Sequence, residues 1–299
     1  MEGMGYSPLS FLHQTQRGHL SALPREAAVM TKNLDRRTFL KGAGALLALP
    51  FIGQACTSLA PVLDQDSVIT GAEGGLPVLL YHDISDSFSD AYTASATQFA
   101  SQMEWLYSNG YSAISLSRLK DSPLPEKAVV ITFDDGYASF MDFAFPLLQS
   151  YRFKATINII GNAVGSYLPM AGNRPMLSWD EYRYLTAGGI VDLGCHTFKL
   201  HAFRHRGVLD VPEKMLYDDL KLFQETMKRE IGRSSGIIAW PYGFYSRRAM
   251  EIATQAGFHC MLTSRRGFFG PASPLNEIPR ISVGSDMKFE TFKSILHSA

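Results

Sequence analysis

Residues 128–139 read AVVITFDDGYAS. Ala128 to Phe133 is a run of apolar and β-branched residues, the composition of a buried strand, and it ends on two adjacent carboxylates, Asp134 and Asp135, followed by Gly136. Like charges side by side at the end of a buried strand repel each other and resist desolvation, so a compensating cation is expected there. Buried apolar strands belong to parallel sheets, whose functional groups collect at the C-terminal strand ends.

Similar short runs occur at Pro77 to Tyr81, Tyr111 to Ile114, Ala155 to Ile160, Ile190 to Gly194, Gly236 to Trp240, His259 to Thr263 and Ile278 to Val283. Helical patterns separate most of them. TQFASQMEWLYSNG (97–110) sets Phe99, Met103, Leu106 and Tyr107 on one face and stops at Gly110. Ser178 with Glu181 three residues on forms a capping box. Pro212 to Ile231 repeats Met215, Leu216, Leu220, Phe223 and Met227 at helical spacing and stops at Gly232. About seven or eight strands alternating with helices predict an α/β protein with a parallel sheet, open or closed into a barrel.

The chain has 299 residues, 46% of them hydrophobic, with 28 basic against 28 acidic side chains, enough to bury a large core and without the positive excess of a nucleic-acid binder. Its three cysteines, Cys56, Cys195 and Cys260, provide no disulfide framework. A Cys195–Cys260 bridge is open to an exported chain, but two ordinary core thiols are the simpler reading.

The segment DRRTFLKGAGALLALPFIGQACTSLA, from Asp35, closely resembles a twin-arginine export signal, with Arg36 and Arg37 ahead of an apolar run. That run is about a dozen residues, short of the ~20 that span a bilayer. The expected organisation is 1–29 upstream of the true start at Met30, 30–60 the export signal, 61–75 a linker and 76–299 the functional domain. The product is expected in the periplasm or cell envelope. A soluble exported product is the preferred reading: Cys56 is a candidate for lipidation, but Gly53 stands where a leucine is usual three residues earlier and Ser58-Leu59-Ala60 provides a small-residue cleavage site, so the chain would meet the membrane only through the signal or such a lipid.

Unusual residues crowd the predicted strand ends: His82-Asp83, Asp134-Asp135, Cys195-His196 and Trp240-Pro241-Tyr242-Gly243, with Arg280 in the last run. In GCHTFKLHAFRH (194–205), His196 and His201 are five apart, about 140° on a helix, so they converge only on an irregular loop after a strand. Two imidazoles and a carboxylate, with positions left for water and substrate, make a hydrolytic metal site of the zinc kind.

TFDDG (132–136), HTFKLH (196–201) and WPYG (240–243), in this order, resemble the polysaccharide deacetylases of carbohydrate esterase family 4, from roughly Leu76 onward. The resemblance implies a distorted (β/α) barrel of about seven parallel strands. It also implies removal of N-acetyl groups from an amino-sugar polysaccharide with one divalent metal ion, Zn²⁺ or alternatively Co²⁺ or Ni²⁺. Carried over by position, Asp134 is the general base and Asp135, His196 and His201 are the metal ligands. The Tyr242 N–H serves the oxyanion, while Trp240, Pro241 and Tyr242 are substrate contacts, the aromatics reading almost as well as core. His205 has no counterpart and is expected on the surface.

Two departures matter. The family's arginine beside the base is replaced by Ala239, with Arg280 as the substitute. The late Leu-x-His motif has only His297, at the end of an apparent helix, but Leu80-Tyr81-His82 repeats the pattern on the first strand. That arrangement resembles the circularly permuted, exported deacetylases of poly-β-1,6-N-acetylglucosamine and makes His82 the general acid. Asp83 is left open between orienting His82 and capping a loop. A non-haem iron enzyme is a competing reading, although the usual close His-x-carboxylate pair is absent. A catalytically impaired polysaccharide-binding module is another.

Overall fold

The computed structural model describes residues 75–88, 90–121, 123–168, 173–202 and 206–299. The leader, the export signal with Cys56, and the linker up to residue 74 lie outside the described residues, as does His205. Eight strands form the main sheet: β1 (Val78–Tyr81), β2 (Ser112–Ala113), β3 (Ala128–Asp135), β4 (Ala155–Ile159), β5 (Val191–Cys195), β6 (Ile237–Ala239), β7 (Cys260–Leu262) and β8 (Ile281–Ser282). Their order is β7-β6-β5-β4-β3-β1-β8, with β2 paired to β3 beside this path. All of the pairings are parallel.

Ile278 bridges Leu262 in parallel while Ile281 pairs with Leu79, so the segment 278–282 ties one edge of the curled sheet to the other. The result is a distorted (β/α) barrel, and each apolar run of the sequence supplies one strand. This order places β1 between β3 and β8.

All eight residues of β3 are buried. Strand periodicity divides them between two layers. Val130 packs with Val78, Ala239, Leu262 and Ile278 in one cluster, whereas Val129, Ile131 and Phe133 join the larger cluster that takes in the helices. By the same period, Thr132 and Asp134 continue the face of Val130, so the inner file of β3 turns polar as it reaches the strand's C-terminal end.

Helices pack outside the sheet: α1 (Ala96–Ser108), α2 (Phe145–Tyr151), α3 (Trp179–Ala187), α4 (Glu213–Ile231), α5 (Arg247–Gln255) and α6 (Phe289–His297). Ser178 and Glu181 form the reciprocal capping box of α3. α4 ends at Gly232 with φ 83°, a left-handed conformation that suits glycine. It buries Leu216, Leu220, Phe223 and Met227, each worth ~2 kcal/mol of transfer free energy.

Two positions expected on apolar faces are instead exposed. Tyr107 stacks on Tyr151 at the surface, and Met215 lies one position outside the buried arc of α4. Cys195 and Cys260 are buried free thiols, one on β5 and one on β7.

Candidate active site

β3 ends in a sharp turn. Asp135 adopts φ 73° and Gly136 φ 94°, and a Cβ at Gly136 would sit 2.2 Å from the Tyr182 hydroxyl. Among the described residues, three of the five non-glycine residues with positive φ, Asp135, Thr197 and Tyr242, lie in the three motifs at this rim. Such conformations cost ~1–3 kcal/mol each and persist where the surroundings impose them. The turn separates the two carboxylates and gives them different neighbours.

Asp134, 2% exposed, meets Arg280 in a two-pronged pair: Nη1 donates to Oδ1 at 2.8 Å and Nη2 to Oδ2 at 2.7 Å. Asn158 Nδ2 donates to Oδ1 at 2.7 Å. Arg280 is itself held by Nε donating to the Thr263 carbonyl at 2.8 Å and by Nη1 donating to Thr132 Oγ1 at 3.2 Å. Burial alone would raise the Asp134 carboxyl, but the Arg280 charge and its hydrogen bonds, together with His196 and His82, hold it well below the ordinary carboxylate range. Gly194 on the neighbouring strand leaves the space Asn158 needs, since a Cβ there would lie 2.1 Å from Asn158 Oδ1.

Asp135 faces the histidines. Its Oδ1 lies 3.5 Å from His196 Nε2 and 3.4 Å from His201 Nε2. One ligand atom from each residue falls within 4.8 Å of the others, and all three side chains are buried. His196 Nδ1 lies 2.9 Å from the Ala239 carbonyl, an acceptor, so the ring proton belongs on Nδ1 and Nε2 presents its lone pair. Burial, followed by the neighbouring His201, pushes His196 down to about 4 against the opposing pull of Asp134 and Asp135. The neutral ring therefore turns a lone pair toward a carboxylate oxygen that is buried and accepts no hydrogen bond. Two facing acceptors with no proton between them fit a cation, and this donor set suits a divalent metal ion.

The loop between the histidines is not helical around His196. Thr197 has φ 66°, and the backbone N–H groups of Phe198 and Lys199 both donate to Asp219 of α4, at 2.7 and 2.8 Å. His201 falls in a single 3₁₀ turn, Leu200–Ala202. The Tyr242 hydroxyl donates to the His201 carbonyl at 2.9 Å, and its ring lies 4.8 Å from the His201 ring.

His82 follows β1 at the same rim and is half-buried. Asp83 does not orient it: its two oxygens take Ser139 Oγ and, at 2.9 Å, Arg174 Nη1. Trp240 is not a surface contact either. It is 1% exposed, stacks on Tyr245 with centroids 6.4 Å apart, and sits in the core; Pro241 is buried beside it. Tyr242 is the partly exposed aromatic of that motif. His297 ends α6 against Trp105 and takes no part in the cluster.

Four contributors escaped the sequence reading: Asn158, Asp219, Tyr137 and Arg174. Asn158 was visible as a polar residue inside the apolar run ATINII, and Asp219 as an acid within the apolar face of α4. Burial first and the neighbouring Asp135 charge second raise the Tyr137 hydroxyl. Arg174 lies in a two-residue strand, Arg174–Pro175, too short for a periodic pattern to mark it.

Residues 121–261, which include Asp134, Asp135, His196, His201 and Tyr242, match the model of the polysaccharide deacetylase family. Over this stretch the chain is similar to polysaccharide deacetylases. Over 286 residues it is 26% identical to the poly-β-1,6-N-acetyl-D-glucosamine N-deacetylase of Escherichia coli K12, an alignment covering 81% of this chain and 42% of that protein. The chain thus spans less than half of that relative's length. A Staphylococcus aureus protein of the same name is 27% identical over 202 residues, 65% of this chain and 69% of its own. The structure of IcaB from Ammonifex degensii superposes with a TM-score of 0.67 at 26% identity, covering 75% of this chain and 97% of that one.

Proposed function

We propose that this protein is a metal-dependent hydrolase that removes N-acetyl groups from a polysaccharide containing N-acetylglucosamine. The observation that carries the reading is the division of the aspartate pair: Asp134 locked onto Arg280, and Asp135 turned toward two imidazoles with an oxygen that accepts no hydrogen bond. The names of the relatives support the amino-sugar polymer as substrate. β-1,6-linked poly-N-acetylglucosamine is the preferred polymer.

Amide hydrolysis needs an activated water, a stabilised oxyanion and a proton for the departing amine. Asp135, His196 and His201 would hold the ion, with Zn²⁺ preferred and Co²⁺ or Ni²⁺ as alternatives. A divalent ion there supplies Lewis acidity to a water and to the acetyl carbonyl. Asp134 takes the water's proton as general base. Arg280 and Asn158 keep it ionised and fixed in direction, which favours orientation over basicity. His82 delivers the proton to the leaving nitrogen as general acid, and the Tyr242 N–H serves the oxyanion.

The twin arginines Arg36 and Arg37 support export to the periplasm or cell envelope, with a soluble product cleaved near Ser58-Leu59-Ala60 preferred over lipid attachment at Cys56.

Acetate release from N-acetylglucosamine polymers tests the reading. Release is expected with the metal bound, loss with chelator, and recovery when Zn²⁺, Co²⁺ or Ni²⁺ is returned. No release under any of these metals would refute the proposal. Release that persists after complete metal removal would refute its metal dependence.

A further inference from the structure

The loop that follows β1 is pinned by a buried arginine. Arg174, 3% exposed, pairs with Asp83 at 2.9 Å and with Asp90, and donates to Thr93 Oγ1 at 2.8 Å. Asp90 Oδ1 accepts the Tyr92 N–H and the Thr93 hydroxyl, each at 2.9 Å. The Asp90 carbonyl accepts the Ser285 hydroxyl at 2.9 Å, and Gly284 packs so closely that a Cβ there would lie 1.8 Å from the Ala91 carbonyl oxygen. Desolvating a guanidinium with two carboxylates is costly and adds little to stability, but it fixes geometry.

What this network fixes is Tyr92. The residues on either side of it are tied down, while its own ring is 64% exposed. A lone exposed aromatic is ordinary. This one is held at the backbone by Asp90 and stands against His82, with ring centroids 5.1 Å apart and planes at 60°. Phe88, on the same loop and 36% exposed, lies over the Arg174 guanidinium at 4.3 Å. The loop therefore presents a rigidly placed, water-facing ring beside the residue proposed to protonate the leaving amine.

We infer that Tyr92 is a stacking platform for a sugar ring of the polymer, on the His82 side of the reacting residue. A β-linked glucosamine ring carries its polar groups equatorially and so offers a C–H face to an aromatic ring. A preset platform lowers the ordering cost of a flexible chain, because Arg174 and Asp90 have already placed the ring. The inference rests on the deacetylase reading, and it makes Tyr92 a determinant of polymer binding.

The test compares Tyr92→Ala, Tyr92→Trp and the control Tyr184→Ala, an equally exposed tyrosine on α3. Acetate release is measured from a β-1,6-linked N-acetylglucosamine pentamer, and binding of the pentamer to the metal-free protein by calorimetry. Tyr92→Ala is expected to raise KM and weaken pentamer binding roughly three- to tenfold, with most of kcat kept, and Tyr92→Trp to restore both. Unchanged KM and unchanged pentamer binding in Tyr92→Ala would overturn the inference. A loss confined to kcat with a displaced pH profile would also overturn it, since Tyr92 would then act only through His82. If the wild type releases no acetate yet binds the pentamer through Tyr92, the enzymatic reading fails and the platform stands.

Discussion

Replacing Arg280 with Met keeps an unbranched side chain of similar length but removes both hydrogen bonds to Asp134, at 2.8 and 2.7 Å, and those to Thr263 and Thr132. Both ionised side chains are 3% exposed or less, so water does not take the guanidinium's place. Breaking one partner of a buried pair costs about 3–5 kcal/mol, because the remaining charge stays desolvated with one amide donor, Asn158. A domain has only about 5–15 kcal/mol to lose. Urea denaturation of the metal-free wild type and Arg280→Met at pH 7 should show this loss, and the double variant Arg280→Met with Asp134→Leu should recover much of it.

The loss should depend on pH in a defined direction. In the wild type the Asp134 carboxyl is depressed when folded, so its stabilisation is present above the ordinary value of 3.8 and fades as pH falls through the folded value. In Arg280→Met burial dominates and the folded carboxyl rises above 3.8, so the penalty is full near neutrality and shrinks toward pH 4. A single variant within ~1 kcal/mol of wild type at pH 7 would refute the buried-pair argument, because that is the scale of a surface pair.

Asp219→Ala should weaken Zn²⁺ binding about 10- to 100-fold in a competition titration, because the loop between His196 and His201 loses the carboxylate that fastens its Phe198 and Lys199 N–H groups. Asp219→Asn, with one carbonyl acceptor, should fall between. His82→Ala should lower kcat on the N-acetylated oligomer by about 10²–10⁴ with metal content unchanged. Its effect on an acetyl ester with a good leaving group should be far smaller, since that group departs without a proton.

The sheet was legible because every strand is an apolar run bounded by polar residues, and a buried parallel strand such as Ala128–Asp135 has no solvent face to dilute the signal. Asp135, His196 and His201 were legible because a carboxylate and two imidazoles at strand ends stand out by residue type. Arg280 was reachable through the gap at Ala239. The residues that fasten the site were harder to read, for a physical reason. Asp219 approaches the histidine loop from a helix that starts a dozen residues later, and Arg174 approaches Asp83 from a two-residue strand, Arg174–Pro175, so neither belongs to a local pattern. Trp240 misled in the opposite direction, because the rim motif WPYG turns its indole into the core and leaves Tyr242 facing His201.

Asp134→Asn and Asp135→Asn, purified side by side and assayed for both bound metal and acetate release, test the separate tasks of the aspartate pair most directly. Asp134→Asn should keep wild-type metal content and lose turnover, while Asp135→Asn should lose the metal and turnover together. Loss of metal in Asp134→Asn with retention in Asp135→Asn would contradict the account and exchange the two roles.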